Sequence, residues 1–271
     1  MSSYKIRAHT IREKIINKAY ECGESAHLGG ALSMVDILCV LYEDILTFDA
    51  NNPYCKERDI FILSKGHCVL GWYAVLNEFG LMNKATFDTF QTNGSDLIAH
   101  PVKKLSLGIE SSNGSLGQGL SFGLGIALGM QKRCQKRNVY VVMGDGECNE
   151  GAVWETAASA AELGIANLTS IVDINNLRND GPNSTYMNTK TLPAIWTAFG
   201  WNVIEVDGHS HDEIKKSLEE AKTVQTKPTA ILAHTIKGKG VSFMEDNNEW
   251  HHNRITKNVY ERILEEWQQN V

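Results

Sequence analysis

Long apolar runs are missing from this 271-residue chain: none approaches the ~18 residues that a membrane-spanning helix needs. The N-terminus, MSSYKIRAHTIREK, lacks the apolar core of a secretory signal. Positive charge is scarce as well, with 26 Lys and Arg against 32 Asp and Glu and a formal net charge of −6. No basic block is available to meet a phosphate backbone or an anionic lipid surface, so neither nucleic acid nor membrane is an expected partner. The six cysteines are scattered and form no CxxC pair, which argues against a disulfide framework and against a zinc ribbon. Reduced thiols in a cytoplasmic protein are the expectation. Only five prolines, no low-complexity tract and no shift in composition favour a single domain over residues 1–271.

Apolar periodicity supplies the architecture. Ile11, Ile15, Ile16 and Ala19 recur at helical spacing, and Leu32 to Leu46 reads as one long apolar helix. Asp59 to Leu63 is a short buried strand ending in Ser-Lys-Gly, and the helix that follows it stops at Gly80. From Val139 onward apolar strands alternate with helices: NVYVVMGDG, LTSIVDINN, WNVIEVDG and PTAILAHT are the strands. That alternation predicts an α/β fold, a doubly wound and mostly parallel sheet with helices on both faces. Ligands of such sheets sit beyond the carboxyl ends of the strands. Here those ends carry SKGH, GDG, DINN, DGH and HTIKGKG.

Asp145 and Asn175 end successive strands thirty residues apart, so one crossover helix brings them to the same sheet edge. A carboxylate and an amide oxygen are hard ligands suited to Mg²⁺ or Ca²⁺, and Mg²⁺ completes its shell with phosphate oxygens, a backbone carbonyl and water. Gly144 and Gly146 let the backbone approach a diphosphate beside a helix N-terminus. A GDG turn alone is weak evidence, since Asp-Gly turns are common and structural. Its strand context and the distant DINN make it specific.

This frame resembles the motif that binds thiamine diphosphate (ThDP), and the surrounding words are similar to those of the transketolase family. SAHLGGALSMVDIL (Ser25 to Leu38), LSKGHCVLGWYAVL (Leu63 to Leu76), HPVK at His100, SLGQGLSFGLGIALG (Ser115 to Gly129) and GDGECNEGAVWETAASA (Gly144 to Ala160) follow in that family's order. The resemblance implies that Asp145, Asn175 and the Leu177 carbonyl hold Mg²⁺, with Ca²⁺ or Mn²⁺ as alternatives. It implies that Gly146 and His67 contact the diphosphate and that Gly114 and Leu116 line the aminopyrimidine. Glu150 matches an acidic residue at the subunit interface. His27, His67, His100 and His251 match substrate-facing positions. His27 and His100 would bind the two-carbon fragment, and His27 and His251 would move the hydroxyl proton. His252 departs from the family, which usually has Gly there, and leaves open which of the adjacent pair faces the site. His209 and His211 are read as ordinary surface or capping residues.

The resemblance carries one absence. The glutamate that pairs with the aminopyrimidine N1′ belongs to a second, pyrimidine-binding domain, for which this sequence has no counterpart. The expectation is therefore the N-terminal subunit of a split transketolase, active with a separate pyrimidine-domain subunit, in an α2β2 assembly, on sugar phosphates or related ketoses and aldoses. The nearest competitor, deoxyxylulose-phosphate synthase, usually carries FPK where this chain has HPV and a HSSTS-like string in place of SLGQG. Keto-acid dehydrogenase α chains lack the SAHLGG and SKGH pair. A non-catalytic regulatory protein on a ThDP-type domain is the alternative from another class. Two local expectations complete the reading. Oxidation of Cys148, inside the GDG loop, would affect cofactor affinity. Glycines 119, 123, 125 and 129 need close packing, either within the domain or against another subunit.

Overall fold

The computed structural model describes residues 3–185 and 187–269. Its elements run α1 (Ser3–Cys22), α2 (Leu28–Ser33), α3 (Val35–Val40), β1 (Ile60–Leu63), α4 (Val69–Glu78), α5 (Lys84–Phe87) and α6 (Gln118–Lys132). Then come β2 (Val139–Gly144), α7 (Gly151–Glu162), β3 (Leu168–Ile174), the short pair β4 (Leu177–Arg178) and β5 (Gly181–Pro182), and α8 (Leu192–Ala198). The chain closes with β6 (Asn202–Asp207), α9 (His211–Thr223), β7 (Thr229–His234) and α10 (Lys257–Gln269).

Five strands form one sheet in the order β1-β2-β3-β7-β6, and every pair is parallel. Alternate strand residues face two separate cores, as the period of two requires. Phe61, Tyr140, Val142, Ile171 and Ile231 pack toward α1, α3, α4 and α9. Ile62, Val139, Val141, Val172 and Leu232 pack toward α6, α7 and α8. Both faces of β1, β2 and β7 are covered, which is why those strands read as apolar runs, whereas the edge strand β6 is only partly buried. Among the described residues no helix is long and apolar enough to cross a membrane.

One predicted element is broken. The stretch from Leu32 to Leu46 is not a single helix: α2 ends at Ser33, α3 starts at Val35, and Leu41–Ile45 widens into a π turn. Ser33 accounts for the break. Its hydroxyl bonds back to the Gly30 carbonyl at 3.1 Å and across to Asp173 at 2.6 Å, a competing geometry that bends helices.

The four glycines of α6 divide by face. A Cβ on Gly119 would lie 2.3 Å from Ser64 Oγ, and one on Gly123 would lie 2.7 Å from Val141 Cγ2. Those two serve packing within the domain. Gly125 and Gly129 lie on the opposite face, where a Cβ would meet nothing within 4 Å.

Candidate active site

The carboxyl ends of β1, β2, β3 and β7 open into a cavity of about 490 Å³. The fifth strand end, after β6, stays outside it. His209 there bridges Asp36 at 2.8 Å and the Ile236 amide at 2.9 Å, so it anchors the segment after β7. His211 also bonds Asp36, at 2.9 Å. Both are structural tethers, and the surface reading does not hold for buried His211.

The cavity floor is built from buried charge. Asp145 is 2 % exposed, and its two carboxylate oxygens accept the Gly146 and Asn176 amides at 2.7 Å each. Burial, followed by the charge of Asp173, raises it to about 6. A carboxylate held in that state gains by taking a cation. Asn175 follows β3, with its Nδ2 donating to Asp173 at 3.2 Å and its Oδ1 accepting the Leu177 amide at 3.2 Å. Carboxylate, amide and carbonyl oxygens make a hard donor set that fits Mg²⁺. No group of three or more His, Cys, Asp or Glu able to hold a metal occurs among the described residues.

Three floor residues were not singled out from the sequence. Asp173 is wholly buried and pairs with Lys65, Ser33 and Thr235. Burial opposes its ionisation, but Lys65 and these hydrogen bonds prevail and lower its pKa. Glu147 joins three loops: its carboxylate accepts from the Ser64 hydroxyl, from the Gly117 amide at 2.7 Å and from the Gly144 amide at 3.2 Å. Lys237 is 1 % exposed, reaches the Leu177 carbonyl at 3.0 Å, and is lowered to about 8, mainly by burial. A polar residue inside a strand was the available signal for Asp173. The KGKG string after β7 was the signal for Lys237.

Histidines form the wall. The ring of His27 lies 5.0 Å from that of His67, 6.2 Å from His100 and 5.4 Å from His251. His251 lines the cavity, while His252 is exposed with its ring 4.3 Å from that of His27. Near-neutral titration is not what this setting allows. Burial comes first in every case and lowers His27 to about 3, His67 to about 2 and His251 to about 4; His100 is lowered too. For the first three, neighbouring imidazoles and Lys237 or Lys65 push the same way. The cluster is neutral at physiological pH, and each ring acts as donor or acceptor according to its tautomer.

Gly114 and Leu116 line the same cavity, and Glu150 stands exposed at its edge. A Cβ on Gly66 would lie 2.4 Å from the Asn113 carbonyl, which explains the glycine of SKGH. On Gly146 it would lie 2.7 Å from Arg178 Cγ. The Gly146 amide, expected to face a diphosphate, is here turned onto the Asp145 carboxylate. Cys148 does not fit its expected role. It is fully buried and its thiol is raised well above the ordinary range by that burial, so it is inert to oxidants that need thiolate.

Residues 5–268 match the family described as Transketolase, thiamine diphosphate binding domain. The chain belongs to the transketolase family. It is 34% identical over 271 residues to a protein of Phocaeicola vulgatus named as a subunit of apulose-4-phosphate transketolase, covering 100% of this chain and 96% of that one. It is 36% identical over 260 residues to the 6-deoxy-6-sulfo-D-fructose transketolase subunit SqwG of Clostridium sp., covering 96% and 94%. Human transketolase is 36% identical over 267 residues, but those span only 42% of its length. Transketolase from Leishmania mexicana superposes with a TM-score of 0.89 at 26% identity, over 99% of this chain and 42% of that one. The chain thus spans nearly the whole of the relatives named as subunits and about two fifths of the longer transketolases.

Proposed function

We propose that this chain is the diphosphate-binding subunit of a ThDP-dependent transketolase. It would act in the cytoplasm with a pyrimidine-domain partner in an α2β2 assembly, and residues 1–271 would form its single cofactor-binding domain. Asp145, Asn175 and the Leu177 carbonyl would hold Mg²⁺ against the diphosphate. His67 and Gly146 would contact the diphosphate, Gly114 and Leu116 the aminopyrimidine, and Glu150 the partner. Bound ThDP supplies carbanion stabilisation for breaking and forming the ketose C–C bond. His27 and His100 would bind the transferred two-carbon fragment, and His27 and His251 would move the substrate hydroxyl proton.

One observation carries this reading: Asp145, raised to about 6 in a floor of hard oxygens, faces a wall of neutral histidines in one cavity. The relatives named as subunits, matched nearly end to end, support the split. Sugar phosphates and related ketoses are the proposed substrates, since one relative is named for a phosphorylated sugar and another for a sulfonated one. Mixing this chain with a pyrimidine-domain transketolase subunit, ThDP and Mg²⁺ should give ketol transfer that neither chain gives alone. Transfer by this chain alone would refute the split. Failure of every such pair to bind ThDP would favour a regulatory protein.

A further inference from the structure

A second cavity, of about 590 Å³, lies at the amino ends of β2 and β3, opposite the cavity of Asp145. The length of β2, about 17 Å at the rise of a parallel strand, separates the two. Its walls are the loop that joins α6 to β2, residues 166–167 before β3, and the end of α9. Lys136, Arg137 and Lys222 line it, and no carboxylate does. In a chain of net charge −6 that is an uneven distribution. Lys132 and Arg133 complete four cations within six residues, a run too short to track a nucleic-acid backbone.

Two ordinary roles do not account for these charges. Cations suit a helix C-terminus, which explains Lys132 and Arg133 at the end of α6, but Lys136 and Arg137 lie beyond it. Ion pairing within the chain does not use them either: among the described residues none of Lys136, Arg137 and Lys222 is paired with a carboxylate. Lys222 Nζ donates to the Ile45 carbonyl at 2.7 Å. Arg137 donates to the Arg58 carbonyl at 3.2 Å and to Gln135 Oε1 at 2.9 Å. Donors remain on both, since an ammonium has three and a guanidinium five. The ends of α6 and α9 bring about half a negative charge each, which three full positive charges outweigh.

We infer that this cavity is a binding site for a small phosphate monoester that carries hydroxyl groups. The cations supply the anion subsite. The lining amides specify the rest. Asn167 Nδ2 donates to the Ala127 and Arg137 carbonyls at 3.2 Å each, and Gln225 Nε2 donates to the Lys222 carbonyl at 3.2 Å. With their nitrogens committed to the protein, these side chains offer a ligand acceptor oxygens, which suit hydroxyl donors and give a bare anion nothing. The volume falls in the range of small-molecule sites. The loop is also held in shape ahead of any ligand. The Cys134 and Gln135 amides close the end of α6 on the Gln131 and Met130 carbonyls at 3.0 Å each, with Cys134 at φ +55.

Exposed Cys134 lines the cavity and reports on its occupancy. Alkylation of the full chain by iodoacetamide, read by peptide mass spectrometry, tests the inference. Ribose 5-phosphate and adenosine 5′-phosphate are the esters, ribose and sulfate the controls, and each protein is compared with and without them. With ester at about ten times its Kd, Cys134 alkylation should slow about tenfold while half-buried Cys22 and Cys55 react as before. Ribose and sulfate should give no protection. Protection by either ester supports the site, and the stronger of the two names its source. Lys136→Glu combined with Lys222→Glu, both at exposed positions, should weaken the ester at least about tenfold. His27→Ala, in the other cavity, should leave protection unchanged; its loss there would place the ester beside Asp145 and overturn the inference. No protection by either ester up to about 10 mM, equal protection by sulfate, or protection that survives both charge reversals would overturn it as well. The wild-type result decides even if the variants fail to fold. It needs neither cofactor nor partner, so failure of the transketolase reading would leave it standing.

Discussion

The floor and the wall of the cavity are built on opposite principles. Floor groups are buried charges cross-tied to one another and to backbone amides: Asp173 with Lys65, Glu147 with three loops, Asp145 with two amides. They sit on or directly after β1, β2 and β3. Wall groups are neutral imidazoles, with His27 edge-on to His67 and His251 and those two stacked on each other, carried by segments as far apart in sequence as His27 and His251. A floor of this kind can hold a cation and an anion at fixed positions without moving. A wall of this kind can exchange hydrogen bonds with a changing substrate at little cost. The difference separates binding from turnover.

If that division is right, floor substitutions damage the fold and wall substitutions damage only the chemistry. Lys65→Met should be the most destructive, because Asp173 would be left buried and uncompensated at a cost of about 3–5 kcal/mol. Thermal unfolding should fall by about 10 °C. A shift under about 3 °C would show that the floor is not under this charge control. His27→Ala, by contrast, should lower kcat of the reconstituted enzyme by about 10²–10³, the scale of a general base, while the melting temperature stays within about 3 °C. An equal loss from a distant surface histidine such as His9 would blur the distinction.

Acid should separate the two regions as well. Asp145 has a folded value of about 6 against 3.8 in the unfolded chain, so between these values the folded state binds more protons. Its contribution to cofactor-free stability therefore falls as pH rises through that window. Metal needs the carboxylate, so Mg²⁺-dependent ThDP affinity should weaken as pH drops below 6, by about tenfold per unit. His27 and His251, already neutral down to about 3 and 4, should add no titration above pH 5. Affinity measured by calorimetry between pH 5 and 8 would show one proton or several. The smallest expected effect contrasts two glycines on α6. Gly123→Ala, crowding Val141, should cost about 1–3 kcal/mol, whereas Gly125→Ala should gain up to about 1 kcal/mol. Denaturant titrations of the two variants check it.

Much of this was legible in the sequence, for physical reasons that vary along the chain. The strands were readable because both sheet faces are covered over β1, β2 and β7, which keeps those runs apolar. The Asp145–Asn175 pair was readable because its geometry is set by one local crossover. The four wall histidines were found through motif order, since no local spacing relates His27 to His251. Asp173 and Glu147 were missed because their partners, Lys65, Ser33, Ser64 and Gly117, lie far away in sequence. The break at Ser33 was missed for the same reason: the hydroxyl's second partner is 140 residues on. Titration behaviour lay beyond the sequence because it depends on burial, which a residue's type does not reveal.

The central claim is that Asp145 makes this chain the metal-dependent grip on the cofactor diphosphate. Calorimetric titration of ThDP into the chain assembled with its partner, with Mg²⁺ and after chelation, tests it in wild type and Asp145→Ala. The account predicts saturable binding in the wild type that chelation removes, and at least about a hundredfold weaker binding in Asp145→Ala, the scale of losing a charged metal ligand together with its ion. Wild-type binding unchanged by chelation, or Asp145→Ala binding as tightly as wild type, would contradict it.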